Sequence, residues 1–562
     1  MNKTTNRNAY LLKTPLKLLS LQTLFKPFNM KMIKAVLPLV ALAAVSCVQN
    51  RADVGKLVEN YAQVTIPAPD LTGITDNGKE VLRLYRMAAD EVDKIYWQQY
   101  FGDGETFLGS LKDPSEKLYA EINYGPWDRI DGKPFIPGYG SKPDGACFYP
   151  ADMTAAEFMT WDNPDKNSPY TLVRRDSDGS LKTVWYHDAY AGNIKKIEEY
   201  LNRAADVTIK ESVRHYLLEM IEGLKTDDYY NSYKAWLEMN DSKMDLVIGP
   251  NETADDQLMG IKRSYEAFVL LKNEARTEQL MKYVSRLEEF QRMLPVEDMY
   301  KSFQPGAGSD IFSCDAIYYA GKANAGIKVI ALNLPYDADL QKDKGTRTIL
   351  LENVIRQKFN YVISPTGEVL LNQAARDHLS QDAFFWNIVF REVAHGLGVK
   401  ETINGKGTVE EALGSSALTF EEMKGNAVGM YLVCKLQSHI AMDRLFTTED
   451  ALTTFFTSLA RSRRFGEGSA LGRANMMMFN YLKEKEAFER HPDGRYSIDY
   501  AKMETALGQL SALILRTQAT GDVEFAMSFE DKYSHPDADF QVDLMNLNLE
   551  NVPQDIRFKF KK

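Results

Sequence analysis

The sequence predicts an α+β fold of two lobes, one a mixed α/β lobe and the other mainly helical. The chain has 562 residues, more than one hydrophobic core usually supports. Apolar residues recur at three- and four-residue spacing over residues 192–300, and helices are predicted again over 380–520. Between these stretches, residues 327–334 and 359–364 are rich in β-branched side chains and end at prolines, which predicts two strands.

The predicted organisation follows from shifts in composition along the chain. Helices are expected at residues 54–61 and 78–100, and loops with short strands over 120–190, where Gly, Pro, Tyr and Trp are frequent. No internal repeat is visible. We therefore expect five parts: a leader (1–46), a tether (47–75), the mixed α+β lobe (76–370), the mainly helical lobe (371–530) and a C-terminal tail that returns to the first lobe (531–562).

The leader has the features of an export signal. Its first 34 residues contain seven lysine or arginine residues and no acidic residue, and residues 35–45 are apolar. Ser46 then precedes Cys47, an order that resembles a bacterial lipoprotein signal, in which the cysteine is acylated. We expect Cys47 to anchor the mature chain in the cell envelope, facing the periplasm. An ordinary cleaved signal or an anchor helix is the alternative, and either would also place the protein outside the cytoplasm.

Charge and cysteine content exclude two classes of protein. The formal net charge is -11, whereas a nucleic-acid partner favours a basic surface. Besides Cys47 the chain has only Cys147, Cys314 and Cys434. Their wide separation argues against a disulfide framework and against a CxxC zinc site.

A metal-site pattern lies in the apolar segment 384–398. Here Arg391 and His395 are four residues apart with Glu392 next to the first, and Gly396 and Gly398 follow. A zinc-peptidase helix has His-Glu-x-x-His at this spacing, because positions i and i+4 share one face and two imidazoles can bind one zinc ion while the glutamate polarises its water. In this chain the first histidine is replaced by Arg391.

A second segment supports the same architecture. Residues 408–430 contain the adjacent carboxylates Glu421 and Glu422, followed by Asn426. Together the two segments resemble the dipeptidyl peptidase III family, particularly its shorter bacterial members, whose pattern is His-Glu-x-x-His-Gly followed by Glu-Glu-x-x-Ala-Asp. The resemblance implies a cleft between two lobes, with Glu392 as the catalytic general base and His395 and Glu422 as zinc ligands.

The resemblance extends over most of residues 130–530. Asn333-Leu-Pro-Tyr336 is similar to the family's Asn-x-Pro-Asn strand, which implies peptide binding by Asn333. Residues 463–476 resemble a segment that usually contains Ala-His-Gly, with Leu471 in place of that histidine. Tyr336 replaces the second asparagine, and Asn426 replaces an acid that supports the zinc ligands.

These substitutions change the expected chemistry. The Arg391 guanidinium stays protonated and has only donors, so it cannot serve as a zinc ligand. His395 and Glu422 would remain, against the three protein ligands of most catalytic zinc sites, and Asn426 weakens their orientation. We expect zinc affinity to fall by several orders of magnitude. We also expect the Arg391 guanidinium to bond to Glu392 and to form an ion pair with Glu422, with Glu421 as a further candidate partner.

The sequence thus predicts a lipid-anchored metallopeptidase homologue, impaired in zinc binding and catalysis, that binds short peptides and no nucleic acid. The first alternative is an active zinc-dependent enzyme that releases dipeptides from peptide N-termini and holds zinc through a replacement ligand. A purely structural role is the second. No Walker-type loop, Gly-x-Ser-x-Gly elbow or nudix-like glutamate box is present in the sequence.

Overall fold

A computed structural model describes residues 53–66, 69–301, 310–439, 445–466 and 468–560. The leader and Cys47 lie outside these residues. Within them the protein has the predicted α+β class, with one large hydrophobic core around a five-stranded sheet and a second core made chiefly by helices. The predicted domain boundaries stay a prediction.

The five-stranded sheet is the centre of the first core. Its strand order is β4-β5-β6-β8-β7, and all neighbouring pairs are antiparallel except β6 and β8. The bounds are β4 Met244–Glu252, β5 Ser264–Lys272, β6 Asp310–Gly321, β7 Ala331–Leu334 and β8 Arg347–Leu351. β4 and β5 correct the prediction of helices throughout 192–300. Both strands are buried on nearly every residue, so they lack the alternation that marks a half-exposed strand.

Helices cover this sheet and form the N-terminal half of the chain. The long helix Asp76–Tyr100 packs against β5 and β6, and the other helices contribute to the first core, to the second core or to a small third cluster. Their bounds are Val54–Glu59, Asp76–Tyr100, Gly104–Ser110, Pro114–Asn123, Ala155–Thr160, Tyr186–Ala189, Ala191–Val207, Glu211–Thr226, Tyr230–Glu238, Glu274–Val284, Leu287–Met293, Ala338–Lys344 and Glu352–Lys358.

The second core is built by the helices that follow residue 363, as the apolar spacing over 380–520 predicts. Short 3-10 turns lie at Asp298–Tyr300, Lys322–Asn324, Gly414–Ser416 and Arg463–Phe465. The helices are Ser364–Leu370, Gln373–Arg376, Gln381–His395, Val409–Leu413, Ala417–His439, Thr448–Ser462, Ala470–Glu484, Tyr500–Thr520, Val523–Tyr533 and Ala538–Leu549.

Three two-stranded sheets complete the fold. The first joins the two ends of the described chain, because β1 (Tyr61–Ile66) pairs in parallel with β11 (Asp555–Phe560). The other two are antiparallel: β2 (Thr171–Arg175) with β3 (Leu181–Trp185), and β9 (Phe488–Arg490) with β10 (Tyr496–Ile498). The pairing of β1 with β11 places the C-terminal segment beside the first core.

Two strand predictions need correction. Residues 359–364 are helical: a π-helical turn, Phe359–Ile363, leads into helix Ser364–Leu370. Phe359, Val362 and Ile363 are buried, so the β-branched residues follow helical spacing and pack on one face. In the range 327–334 only Ala331–Leu334 is a strand, since the Lys328 backbone N–H bonds to the Asp555 carboxylate instead of to a neighbouring strand.

Cys147, Cys314 and Cys434 are free thiols. In the described part of the chain, no helix combines the length and the apolar character that crossing a membrane requires.

Candidate functional site

The site begins with the helix that carries the metal-site pattern, Gln381–His395, here called the first site helix. Ser380 caps its N-terminus by accepting a hydrogen bond from the Ala383 N–H, and Gly396 follows its last residue. Its aromatic residues are buried and pack in the second core, as expected of a core helix: Phe384, Phe385, Trp386 and Phe390. Burial of this apolar face fixes the helix and leaves Arg391, Glu392 and His395 on a partly exposed side.

A second helix, Ala417–His439, packs closely on the first and is called the second site helix. Two glycines permit the approach. A Cβ atom at Gly429 would lie 2.9 Å from the Arg391 backbone nitrogen, and one at Gly425 would lie 2.7 Å from His395 Nε2. Because both contacts are shorter than ordinary van der Waals separations, larger residues here would push the helices apart. The glycines therefore bring the carboxylates of the second helix within reach of the first.

Arg391 lies between two carboxylates. Its Nη2 donates a hydrogen bond to Glu422 Oε2 at 2.7 Å, and its Nη1 donates one to Glu392 Oε1. The side chains of Arg391, Glu392 and Glu422 are 23%, 9% and 20% exposed. Burial alone would lower the pKa of Arg391, but the two carboxylates raise that pKa above its usual value. The predicted ion pair between Arg391 and Glu422 is confirmed.

His395 belongs to a different cluster, one turn further along the first site helix. Its Nδ1 lies 2.9 Å from Glu421 Oε1, and Lys424 Nζ lies 2.9 Å from the same oxygen. Gln518 donates to the other oxygen of Glu421. Burial raises the pKa of Glu421, but Lys424 and the hydrogen bond from His395 outweigh it, and the pKa is well below its usual range. The expectation that Glu421 pairs with Arg391 was wrong, because this carboxylate bonds to His395 and Lys424.

One cavity of about 540 Å³ brings the predicted residues together. Its lining includes eight of the positions singled out in the sequence: Asn333, Tyr336, Arg391, Glu392, His395, Glu422, Asn426 and Leu471. Asn333 and Tyr336 come from β7 and the turn after it, and both are exposed. The Arg263 guanidinium lies 5.0 Å from the Tyr336 ring centroid, within cation–π range. Their functional roles stay predictions.

The cavity has a second polar surface that the sequence did not indicate. The cavity is lined there by Lys328, Lys358 and Arg461, which we call the basic wall. We call another set of lining residues the acidic wall; it consists of Arg391, Glu392 and Glu422. Two of these side chains contact Asp555: Lys358 Nζ lies 3.0 Å from its carboxylate, and Arg461 Nη2 lies 3.7 Å from it. Lys328 donates its backbone N–H to the same carboxylate.

Burial affects the lysines of the basic wall most. It lowers the pKa of Lys328 to about 7 and that of Lys358 to about 8, although Asp555 acts in the opposite direction on both. Neighbouring cations add to the lowering: Lys358 acts on Lys328, and Arg461 acts on Lys358. The basic wall is therefore a concentration of positive charge that one carboxylate partly offsets.

The residues present do not fit a three-ligand zinc site. A catalytic zinc ion needs three protein donors and an open position. Glu422 Oε2 is bonded to Arg391, whose positive charge would repel a cation and whose guanidinium has no lone pair to offer a metal ion. Within the ranges that the structure describes, no three His, Cys, Asp or Glu side chains are grouped so that they could hold a metal ion.

Comparison with known proteins identifies the scaffold. Residues 165–406 match the model of peptidase family M49. The solved structure of DPP III from Caldithrix abyssi has a TM-score of 0.85 and 30% identity, with 90% of this chain and 98% of that chain covered. The chain belongs to peptidase family M49, the dipeptidyl peptidase III family. This M49 membership confirms the resemblance found in the sequence.

Two further proteins agree with the M49 assignment. Dipeptidyl-peptidase III from Corallococcus sp. strain EGB has a TM-score of 0.81 and 30% identity, covering 90% of this chain and 96% of its own. Nudix hydrolase 3 of Arabidopsis thaliana is 30% identical over 568 residues, which span 89% of this chain and 73% of that protein. Family M49 is a zinc-dependent peptidase family.

Sequence reasoning missed the basic wall and the partners of Glu421 in this M49 chain. Lys358 stands beside a segment that was predicted to be a strand, and Asp555 is 197 positions away from it in the chain. Lys424 and Gln518 carry no motif of their own. A weak signal was available at Arg461, a basic residue within a long apolar helix, where a buried charge usually has a partner.

Proposed function

We propose that this M49 protein binds short peptides in its cleft without a catalytic zinc ion, and that it is impaired or inactive as a peptidase. The observation that carries the proposal is the position of Arg391, whose guanidinium is held by Glu392 and Glu422. A general base must be free to accept a proton from water, and Glu392 is bonded to a permanent cation. The scaffold and cavity are retained while the reactive centre is replaced by an ion-pair network.

The peptide would bind along β7. This strand is at the edge of the five-stranded sheet, with β8 on one side, so its other edge presents backbone groups to an added strand. Ala331 and Asn333 of β7 both line the cavity. Backbone hydrogen bonds along β7 would supply affinity that does not depend on peptide sequence, and the Asn333 amide would add a donor and an acceptor for peptide main chain.

We also propose that Cys47 tethers the protein to a membrane of the cell envelope. The support is the order of charged, apolar and small residues before Cys47. Replacement of Cys47 by alanine should move the protein from the membrane fraction to the soluble fraction, and it should abolish labelling by a clickable fatty acid. Retention of the Cys47→Ala protein in washed membranes would contradict the tether.

Metal content and peptidase activity of the purified protein test the central proposal. We expect less than a tenth of an equivalent of zinc by elemental analysis after incubation with equimolar zinc, and no release of dipeptide from dipeptidyl arylamides. Isothermal titration with short peptides should still detect binding. Near-stoichiometric zinc that a chelator removes together with peptidase activity would establish the alternative, an active zinc-dependent dipeptidyl peptidase.

A reversion experiment tests whether Arg391 causes the loss. Arg391→His combined with Leu471→His restores both missing histidines of the family pattern, and we expect zinc affinity to rise at least 100-fold over the parent. The matched control is Arg391→Gln with Leu471→His, which removes the same positive charge without supplying an imidazole. Equal zinc affinity of the two variants would show that zinc binding by the parent is limited by charge repulsion and not by the missing ligand.

A further inference from the structure

The two walls of the cavity differ in formal charge. On the acidic wall, one guanidinium faces two carboxylates, so a negative charge is in excess. On the basic wall, Lys358 and Arg461 share the Asp555 carboxylate, and Lys328 is close enough to be affected by it. Both walls line the same cavity. A ligand with a positive charge at one end and a negative charge at the other would complement both.

The basic wall also has unused hydrogen-bonding capacity. The Arg461 side chain is 9% exposed, and its Nε has no hydrogen-bond partner among the described residues. Its Nη2 donates to the Gln554 carbonyl oxygen. A buried donor without a partner is destabilising, and a carboxylate oxygen is the acceptor that guanidinium binds best. The side chain of Arg461 can therefore bind an anion at the cavity surface.

Resting on the proposed peptide-binding function, we propose that the cavity recognises short peptides by both free ends: the α-carboxylate at Lys358 and Arg461, and the α-ammonium at Glu392 and Glu422. The ammonium bonds to Glu392 Oε2 and Glu422 Oε1, the carboxylate oxygens that do not accept from Arg391, and its single charge is balanced by the excess negative charge of the acidic wall. The ligand is a short unmodified peptide bound as a zwitterion.

The size of the cavity is consistent with such a ligand. Its volume of about 540 Å³ falls within the roughly 300–1,000 Å³ of sites for small molecules. An extended peptide spans about 3.3–3.6 Å per residue, so each added residue lengthens the distance between the two end charges by that amount. Affinity should therefore have a maximum at one peptide length in a series of oligoalanines from two to five residues.

End-group modification of the peptide is the first test, because it leaves the protein unchanged. Isothermal titration compares each oligoalanine with its C-terminal amide and its N-acetyl form. At the best length, we expect at least a tenfold loss of affinity on amidation and at least a fivefold loss on acetylation. Equal affinities of the free and modified peptides would overturn the inference and leave the proposed peptide binding intact. If no peptide binds, both the inference and the proposed peptide binding are contradicted.

A pair of variants locates the carboxylate. Arg461→Gln should reduce the effect of amidation to less than threefold. Arg464→Gln is the matched control: Arg464 is also buried and bonds to the Val552 and Pro553 carbonyl oxygens, but it does not line the cavity. An unchanged amidation effect in Arg461→Gln would overturn the assignment of the carboxylate to the basic wall. If Arg461→Gln does not fold, comparison of the free and amidated peptides on the parent protein still decides whether the cavity recognises the peptide carboxylate.

Discussion

The acidic wall and the basic wall of the cavity differ in where the countercharges of their buried cations come from. On the acidic wall, Arg391 is bonded to carboxylates from the same helix and from the helix packed on it. On the basic wall, Lys358 and Arg461 depend on Asp555, which belongs to the last strand. The acidic wall is therefore a local arrangement of two neighbouring helices, while the basic wall depends on the pairing of the first and last strands.

Removal of Asp555 should have the largest effect. Asp555→Asn leaves buried cations without their shared countercharge, and breaking a buried ion pair from one side costs about 3–5 kcal/mol. We expect the free energy of unfolding in urea to fall by about 4 kcal/mol. Asp539→Asn is the control, since the ion pair of Asp539 with Lys483 is partly exposed and should contribute less than about 1 kcal/mol. Similar losses in the two variants would show that the countercharge of the basic wall stabilises the fold no more than an exposed ion pair does.

Removal of Arg391 tests how much the ion pairs of the acidic wall stabilise the fold. Arg391→Met leaves Glu392 and Glu422 facing each other without the intervening cation, and we expect a loss of about 3 kcal/mol in the free energy of unfolding. Arg516→Met is a matched control, because its ion pair with Glu297 is about half exposed and should contribute less than about 1 kcal/mol.

A double-mutant cycle of Arg391→Met with Glu422→Gln separates the pair from the rest of the site. A coupling energy near zero would mean that the observed contact does not stabilise the fold.

The smallest expected effect concerns Glu421 and its pH dependence. Glu421→Gln should lower the free energy of unfolding by about 1–2 kcal/mol at pH 7, the range for a hydrogen-bonded charged group. Because the folded pKa of Glu421 lies below its unfolded value, its contribution is present above about pH 4.3 and is lost as pH falls below it. The difference between parent and variant should therefore shrink from pH 6 to pH 3. A difference that is constant with pH would contradict this role.

The contrast between the walls also explains what sequence could predict. Arg391, Glu392 and His395 follow one helical face, and Glu422 belongs to a second recognisable segment, so spacing alone brought them together. The basic wall has no such spacing, because Lys358 and Asp555 are 197 positions apart. The same reasoning applies to the fold. The helices after residue 380 show clear apolar periodicity, whereas β4 and β5 are buried on both faces and lack it.

Glu421 and Glu422 illustrate a further limit. The two residues are adjacent in sequence, and either could pair with Arg391. In the structure they lie in separate clusters, with Glu421 at His395 and Glu422 at Arg391. The choice depends on Lys424 and Gln518, which, of the two glutamates, bond to Glu421. It also depends on the close helix approach at Gly425 and Gly429. The direction of these side chains depends on how the helices pack, and a sequence motif carries no information on that packing.

The parallel pairing of β1 with β11 has a consequence for how the chain folds during synthesis. A nascent chain that has reached residue 550 can form most of its helices, but it lacks the partner of its first strand and the countercharge of its basic wall. Until residues 555–560 emerge, Lys358 and Arg461 can keep their charge only in contact with water. The basic wall therefore becomes complete only after translation of the last strand, and a chain truncated before residue 555 should be cleaved by proteases faster than the full chain.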